Sequence, residues 1–119
     1  MGKRILIVED NALLALELGQ GLEDAGFEAV GPAMSVEQAL SLLETRGCDA
    51  AVLDINLRGE TSEPVAHGLR ARSIPFVTIT GYAQGQLPAV FEGVPSFTKP
   101  VMLPLVAAEL RHRLDLDAG

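Results

Sequence analysis

The sequence predicts an α/β fold, a doubly wound five-stranded parallel sheet with helices on both faces. Three observations carry that prediction. Strand and helix patterns alternate five times, the connections between them are short, and there is no repeat and no low-complexity linker. Strand and helix alternating on short links bring successive strands parallel, and the apolar faces of such strands need helices on both sides.

The elements follow in order. Ile5-Leu6-Ile7-Val8 is a continuous apolar run ended by Glu9-Asp10-Asn11, as expected of a strand buried on both faces that opens into a turn and a helix. From Asn11 to Ala25 the residues Leu14, Leu18, Leu22 and Ala25 recur at helical spacing, and Gly26 stands where a helix commonly stops. Glu28-Ala29-Val30-Gly31 is a weaker strand, and Pro32 behind it argues for an edge position or a strand end. Ser35 opens a second helix, with Val36, Leu40 and Leu43 on one face and Gly47 past its end. Ala50-Ala51-Val52-Leu53 repeats the first strand's pattern and again ends on an acid, Asp54. Residues 62–72 give a third helix with Val65, Ala66 and Leu69 inward, followed by the strand Phe76-Val77-Thr78-Ile79-Thr80. Gly85 and Pro88 interrupt any regular helix between Tyr82 and Phe91, so the fourth helix is expected to be short or distorted. Ser96-Phe97-Thr98 is a short last strand before Lys99-Pro100, and Leu103, Val106, Leu110 and Leu114 mark a closing helix.

Composition narrows the function. The 119 residues suit a single domain, 1–119, and 48% apolar against 21% charged residues can fill a core. Sixteen acids against nine bases leave a net charge of -7, a balance that repels phosphate backbones, so no nucleic-acid partner is expected. Residues 1–60 carry eleven acids and four bases, whereas residues 61–119 carry five of each. All of the acidic surplus therefore sits in the first half. Cys48 is the single cysteine, and the run at 5–8 is too short for a signal or a membrane span. A cytoplasmic protein with no membrane partner is expected. Cys48 reads as a small, partly buried packing residue, and His67 and His112 as helix-surface residues.

Parallel strands point their carboxyl ends the same way, so Glu9-Asp10, Asp54, Thr80 and Lys99 gather along one rim, where ligands of open α/β sheets bind. The pattern does not fix strand order. In the flavodoxin-like order 2-1-3-4-5 the first and third strands flank the crevice, and Glu9, Asp10 and Asp54 meet there. Like charges at ~4 Å repel by roughly 4 kcal/mol per pair at an effective dielectric near 20, so cations are required. Lys99 is one, and Mg²⁺, a hard ion suited to a few carboxylates and several waters, is the other. No glycine-rich loop follows the first strand, which argues against a dinucleotide site. A carboxylate beside Mg²⁺ and a lysine is set up to attack phosphorus and form an acyl phosphate. Asp54 stands alone at its strand end and is the candidate nucleophile, while Glu9 and Asp10 are placed as metal ligands. Thr80 offers a hydroxyl to the phosphoryl group, and Gly81 permits close approach.

Taken together, Ile-Val-Glu9-Asp10, Val-Leu-Asp54-Ile-Asn-Leu, Thr-Ile-Thr80-Gly81 and Phe-Thr-Lys99-Pro100, in this order and at strand ends, resemble a response-regulator receiver domain of two-component signalling, from about Arg4 to Leu114. The resemblance implies that Asp54 accepts a phosphoryl group from a histidine kinase or a histidine phosphotransfer protein. It also implies that Glu9, Asp10, Asp54 and the backbone carbonyl of Asn56 organise Mg²⁺, that Lys99 and Thr80 contact the phosphoryl oxygens, and that output runs through an unknown downstream protein. A monomer, or a weak dimer on phosphorylation, is expected. Singly, the same residues have plainer readings: Asp10 as a helix cap, Asp54 as a turn residue, Lys99-Pro100 as a turn. Their joint occurrence is what resists those readings.

One position departs from the receiver pattern. Three residues before the lysine receivers usually carry Tyr or Phe, but here Ser96 stands there and the aromatic, Phe97, comes one place later and should face the other side of the sheet. Output is then expected to pass through the irregular segment Tyr82–Phe91, with Thr80, Gly81 and Tyr82 as switch or lid candidates and Tyr82, two residues past Thr80, covering the phosphorylation site. The alternative function is a receiver-like binding module that works without phosphorylation. A conventional turnover enzyme is not expected, because a phosphatase using an aspartyl phosphate usually has an acid two residues after the nucleophile and Asn56 stands there.

Overall fold

A computed structural model describes residues 2–81 and 87–116. The chain runs β1 (Arg4–Val8), α1 (Ala12–Asp24), β2 (Glu28–Ala33), α2 (Val36–Thr45), β3 (Ala50–Asp54), a small hairpin of β4 (Asn56–Leu57) and β5 (Glu60–Thr61), α3 (Glu63–Ala71), β6 (Phe76–Thr80), a 3₁₀ turn (Ala89–Phe91), β7 (Ser96–Thr98) and α4 (Leu103–Arg113). The main sheet is five-stranded, in the order β2-β1-β3-β6-β7, and its neighbouring strands pair parallel. With the β4–β5 hairpin set aside, this is the flavodoxin-like 2-1-3-4-5 order.

The apolar runs became central strands because both of their faces are covered. Side chains alternate along a strand, so each run feeds two cores. Ile5, Ile7, Ala50, Val52, Val77 and Ile79 pack with Leu18 and Leu22 of α1 and Val106 and Leu110 of α4. Leu6, Val8, Ala51, Leu53 and Phe76 pack on the other side with α2, α3 and the 3₁₀ turn, through Leu43, Val65, Leu69, Val90 and Phe91. The edge strand β2 contains Pro32, as an edge strand permits, and runs on to Ala33 with an irregular register against β1.

Two helices start on side-chain caps. Asn11 Oδ1 accepts from the Leu14 N–H at 2.9 Å and Ser35 Oγ from the Gln38 N–H at 3.1 Å. The stripe on α2 differs from the expected one. Ala39 and Leu43 are its buried residues, Val36 is only half-buried, and Leu40 stays 37% exposed. Leu40 instead covers Gly68 of α3, where an added Cβ would come within 3.7 Å of Leu40 Cδ2 and 3.2 Å of Leu43 Cδ2. On α4, Val106 and Leu110 are buried, whereas Leu103 and Leu114 are half-buried against the same core. The fourth helix is reduced, among the described residues, to the 3₁₀ turn behind Pro88, and Gly93 at φ +74° follows it. No described helix is long and apolar enough to cross a membrane.

Candidate functional site

Strand register assembles the site. Val8 pairs with Leu53 and Asp54 with Ile79, so the residues one step on, Glu9 beside Asp54 and then Thr80, meet at one edge of the sheet. Thr80 pairs with Thr98, which delivers Lys99 to the same edge. Glu9, Asp10 and Asp54 each place a carboxylate oxygen within 4.8 Å of the others. Asp10 and Asp54 border a cleft of about 310 Å³ that Asn56, Arg58, Gly81 and Lys99 also line, together with Asn11. A larger hollow of about 490 Å³ lies at the other end of β6. There Arg70 is a strut, donating to the carbonyls of Val90 and Glu92 and stacking on Phe76, and no carboxylate cluster accompanies it among the described residues.

Each acid is held differently. Glu9 is fully buried; its Oε2 accepts from the Asn11 N–H at 2.9 Å, while Oε1 faces Lys99 Nζ at 3.2 Å without hydrogen-bond geometry. Asp54 is 4% exposed, with Oδ2 accepting from Lys99 Nζ at 3.0 Å and Oδ1 from the Asn56 N–H at 3.2 Å. The second contact is an Asx-type turn, so the plain reading of Asp54 holds alongside the chemical one. Asp10 does not cap α1, because Asn11 does, and its Oδ2 lies 3.4 Å from Arg58 Nε. The Lys99 N–H donates to the Thr80 carbonyl at 2.8 Å, which fixes the lysine's root over β6. Thr80 itself is 4% exposed, Asn56 is exposed at the start of the hairpin, and Gly81 borders the cleft. Tyr82 lies outside the described residues.

The electrostatics favour an added cation. Burial raises the Glu9 carboxyl from 4.5 to about 7; repulsion from Asp54 adds to this, and the Asn11 N–H and the Lys99 ammonium only partly reverse it. Burial alone lowers the Lys99 ammonium, but its hydrogen bond to Asp54 and its attraction to Asp54 and Glu9 win and carry it above its ordinary 10.5. One shared lysine thus does not satisfy the two buried acids. The fully buried Glu9 Oε1 without a hydrogen bond, beside oxygens of Asp10 and Asp54, is a donor set suited to a hard divalent ion such as Mg²⁺. Elsewhere, burial pushes the Cys48 thiol up to about 11, in keeping with a packing residue, and His67 and His112 are exposed on their helices.

Residues 5–94 match the response regulator receiver domain. The chain belongs to that family. This receiver is 30% identical over 86 residues to the transcriptional regulatory protein PdtaR of Mycobacterium tuberculosis, covering 71% of this chain and 42% of that protein. It is 42% identical over 79 residues to the sensory transduction protein RegX3 of Mycolicibacterium smegmatis, covering 64% and 33%. The chain therefore spans less than half the length of these curated relatives. Among solved structures, SdrG of Sphingomonas melonis Fr1 is 44% identical with a TM-score of 0.80 over 92% of this chain and 93% of that one. A CheY-like receiver from Methanospirillum hungatei is 25% identical with a TM-score of 0.85, covering 97% and 95%. PhyR of Brucella abortus is 28% identical with a TM-score of 0.82, covering 98% of this receiver and 49% of PhyR.

The departure near the end of the sheet has the expected geometry. Ser96 is exposed, and Phe97 packs on the α1–α4 side of the sheet beside Ile79. Sequence reasoning missed the β4–β5 hairpin and, with it, Arg58 on the rim of the cleft. The available signal was Gly59, a usual second residue of a two-residue hairpin turn, but strands of two residues carry no readable period.

Proposed function

We propose that this receiver, a single domain spanning 1–119, is a phosphoacceptor in two-component phosphorelay signalling. Asp54 takes the phosphoryl group from the phosphohistidine of a histidine kinase or phosphotransfer protein. A new bond forms between an Asp54 carboxylate oxygen and phosphorus as the phosphorus–nitrogen bond breaks, and the departing imidazole takes up a proton. Glu9, Asp10, Asp54 and the Asn56 backbone carbonyl would hold Mg²⁺, which when bound offsets charge on the phosphoryl oxygens. Lys99 orients Asp54 and then pairs with the phosphoryl group, and Thr80 donates its hydroxyl to it. The observation that carries this reading is a buried Asp54 whose Oδ2 is 3.0 Å from Lys99 Nζ inside a three-carboxylate cluster. The protein promotes its own phosphorylation and dephosphorylation without being a conventional turnover enzyme. Output runs through phosphorylation-dependent binding of a downstream protein in the cytoplasm, by a monomer or a weak phosphorylation-dependent dimer.

Ser96 in place of the aromatic supports a second reading, a binding module that works without phosphorylation. One experiment separates the two. Incubation with Mg²⁺ and acetyl phosphate should add the mass of one phosphoryl group, and Asp54→Ala should abolish the gain. No gain in the parent protein would favour the binding module.

A further inference from the structure

Arg58 stands over the acidic cleft in a conformation its own side chain does not favour. It is the first residue of the two-residue turn Arg58-Gly59 between β4 and β5, with φ +45° followed by φ +89°. Both central residues of such a hairpin turn take positive φ, and Asn-Gly, Asp-Gly or Gly-Gly are the preferred pairs. The turn aims the guanidinium back across 48 residues of sequence. Nε lies 3.4 Å from Asp10 Oδ2, and Nη2 lies 3.5 Å from the Asp10 carbonyl oxygen.

This contact divides the site's charge into two parts. Lys99 serves the buried pair, Glu9 and Asp54, whereas Arg58 serves Asp10, whose side chain is 16% exposed. With all three acids ionised, Lys99 leaves the cluster at a formal -2, and Arg58 brings it to -1. The two cations are also held unequally. Lys99 is rooted by its backbone hydrogen bond and half-buried, 3.0 Å from Asp54 and 3.2 Å from Glu9, while Arg58 is 79% exposed and tied by two long contacts. An exposed, loosely held pair is weak and is easily displaced by a dication.

We propose that Arg58 is a built-in competitor for the divalent cation at Asp10, a positioning residue that lowers the site's cation affinity and swings out when the ion enters. This inference rests on the phosphoacceptor reading only through the cation site. Its test is the Mg²⁺ dissociation constant, measured by titration calorimetry on the parent protein, Arg58→Asn and Arg58→Lys. Asn tolerates positive φ, so Arg58→Asn preserves the turn while removing the charge. We expect Arg58→Asn to bind Mg²⁺ about threefold to fivefold tighter, the scale of an exposed ion pair, and Arg58→Lys to stay within about twofold of the parent. Unchanged or weaker binding in Arg58→Asn, with the parent still binding, would overturn the role of Arg58 and leave the site reading standing. A parent protein that binds no Mg²⁺ would overturn both.

Discussion

At the centre of the sheet's carboxyl edge, Glu9 is fully buried and Asp54 is 4% exposed, and both share the ammonium of Lys99. At the β7 end of the same edge, Ser96 and Thr98 are exposed, and Phe97 is half-buried on the α1–α4 side. The first region is organised by charge in a dry setting, the second by packing. Buried carboxylates that one lysine cannot satisfy make the centre sensitive to protons and to cations. A half-buried phenyl ring answers only to volume. In receivers generally an aromatic at the β7 position would link the two regions, and here Phe97 lies on the opposite face, so the central site and the edge are expected to respond independently.

The largest expected effect is that of pH at the centre. Glu9 has a folded value near 7 against 4.5 unfolded, so between these the folded state binds more protons. Stability in the absence of divalent cations should therefore fall as pH rises from about 4.5 to 7. The fall should total roughly 3 kcal/mol, because each tenfold difference in proton affinity between the folded and unfolded states is worth ~1.4 kcal/mol. Urea midpoints in EDTA across this range should show the fall, and Glu9→Gln should flatten it. A slope that survives in Glu9→Gln would assign the proton elsewhere.

A smaller effect is expected from packing at the edge. Phe97→Ala should cost about 2 kcal/mol, below the ~3–5 kcal/mol of a fully buried phenylalanine because the ring is only half-buried, while Ser96→Ala should stay within about 0.5 kcal/mol. Neither should change the pH slope or the Mg²⁺ affinity. A change in either quantity in Phe97→Ala would mean that the edge and the centre are coupled after all.

The same contrast explains what could be read from the sequence. β1, β3 and β6 were legible because strands buried on both faces are continuous apolar runs, and the acids at their ends stand out against such runs. Strand ends also gave the site, since parallel register brings Glu9, Asp54, Thr80 and Lys99 to one edge without knowledge of any side-chain conformation. The stripe of α2 was misplaced because Ala39 is small and carries little hydrophobic signal, although it is the residue that lies against the sheet. Leu40 was counted inward because its contact with Gly68 belongs to a helix pair that the pattern of one helix does not encode. Arg58 was illegible for a related reason: its partner Asp10 is brought near by a turn between two-residue strands. Asp10 itself was open between cap and ligand until Asn11 took the cap.

The central claim is that Asp54 is the acceptor and that Glu9 and Asp10 are not. Borohydride reduces an acyl phosphate to the corresponding alcohol, so treating the acetyl-phosphate-modified protein and mapping its peptides by mass locates the phosphorylated carboxylate. We expect homoserine at position 54, with Glu9 and Asp10 unchanged. Reduction at Glu9 or Asp10, or none anywhere in a protein that had gained phosphoryl mass, would contradict the account.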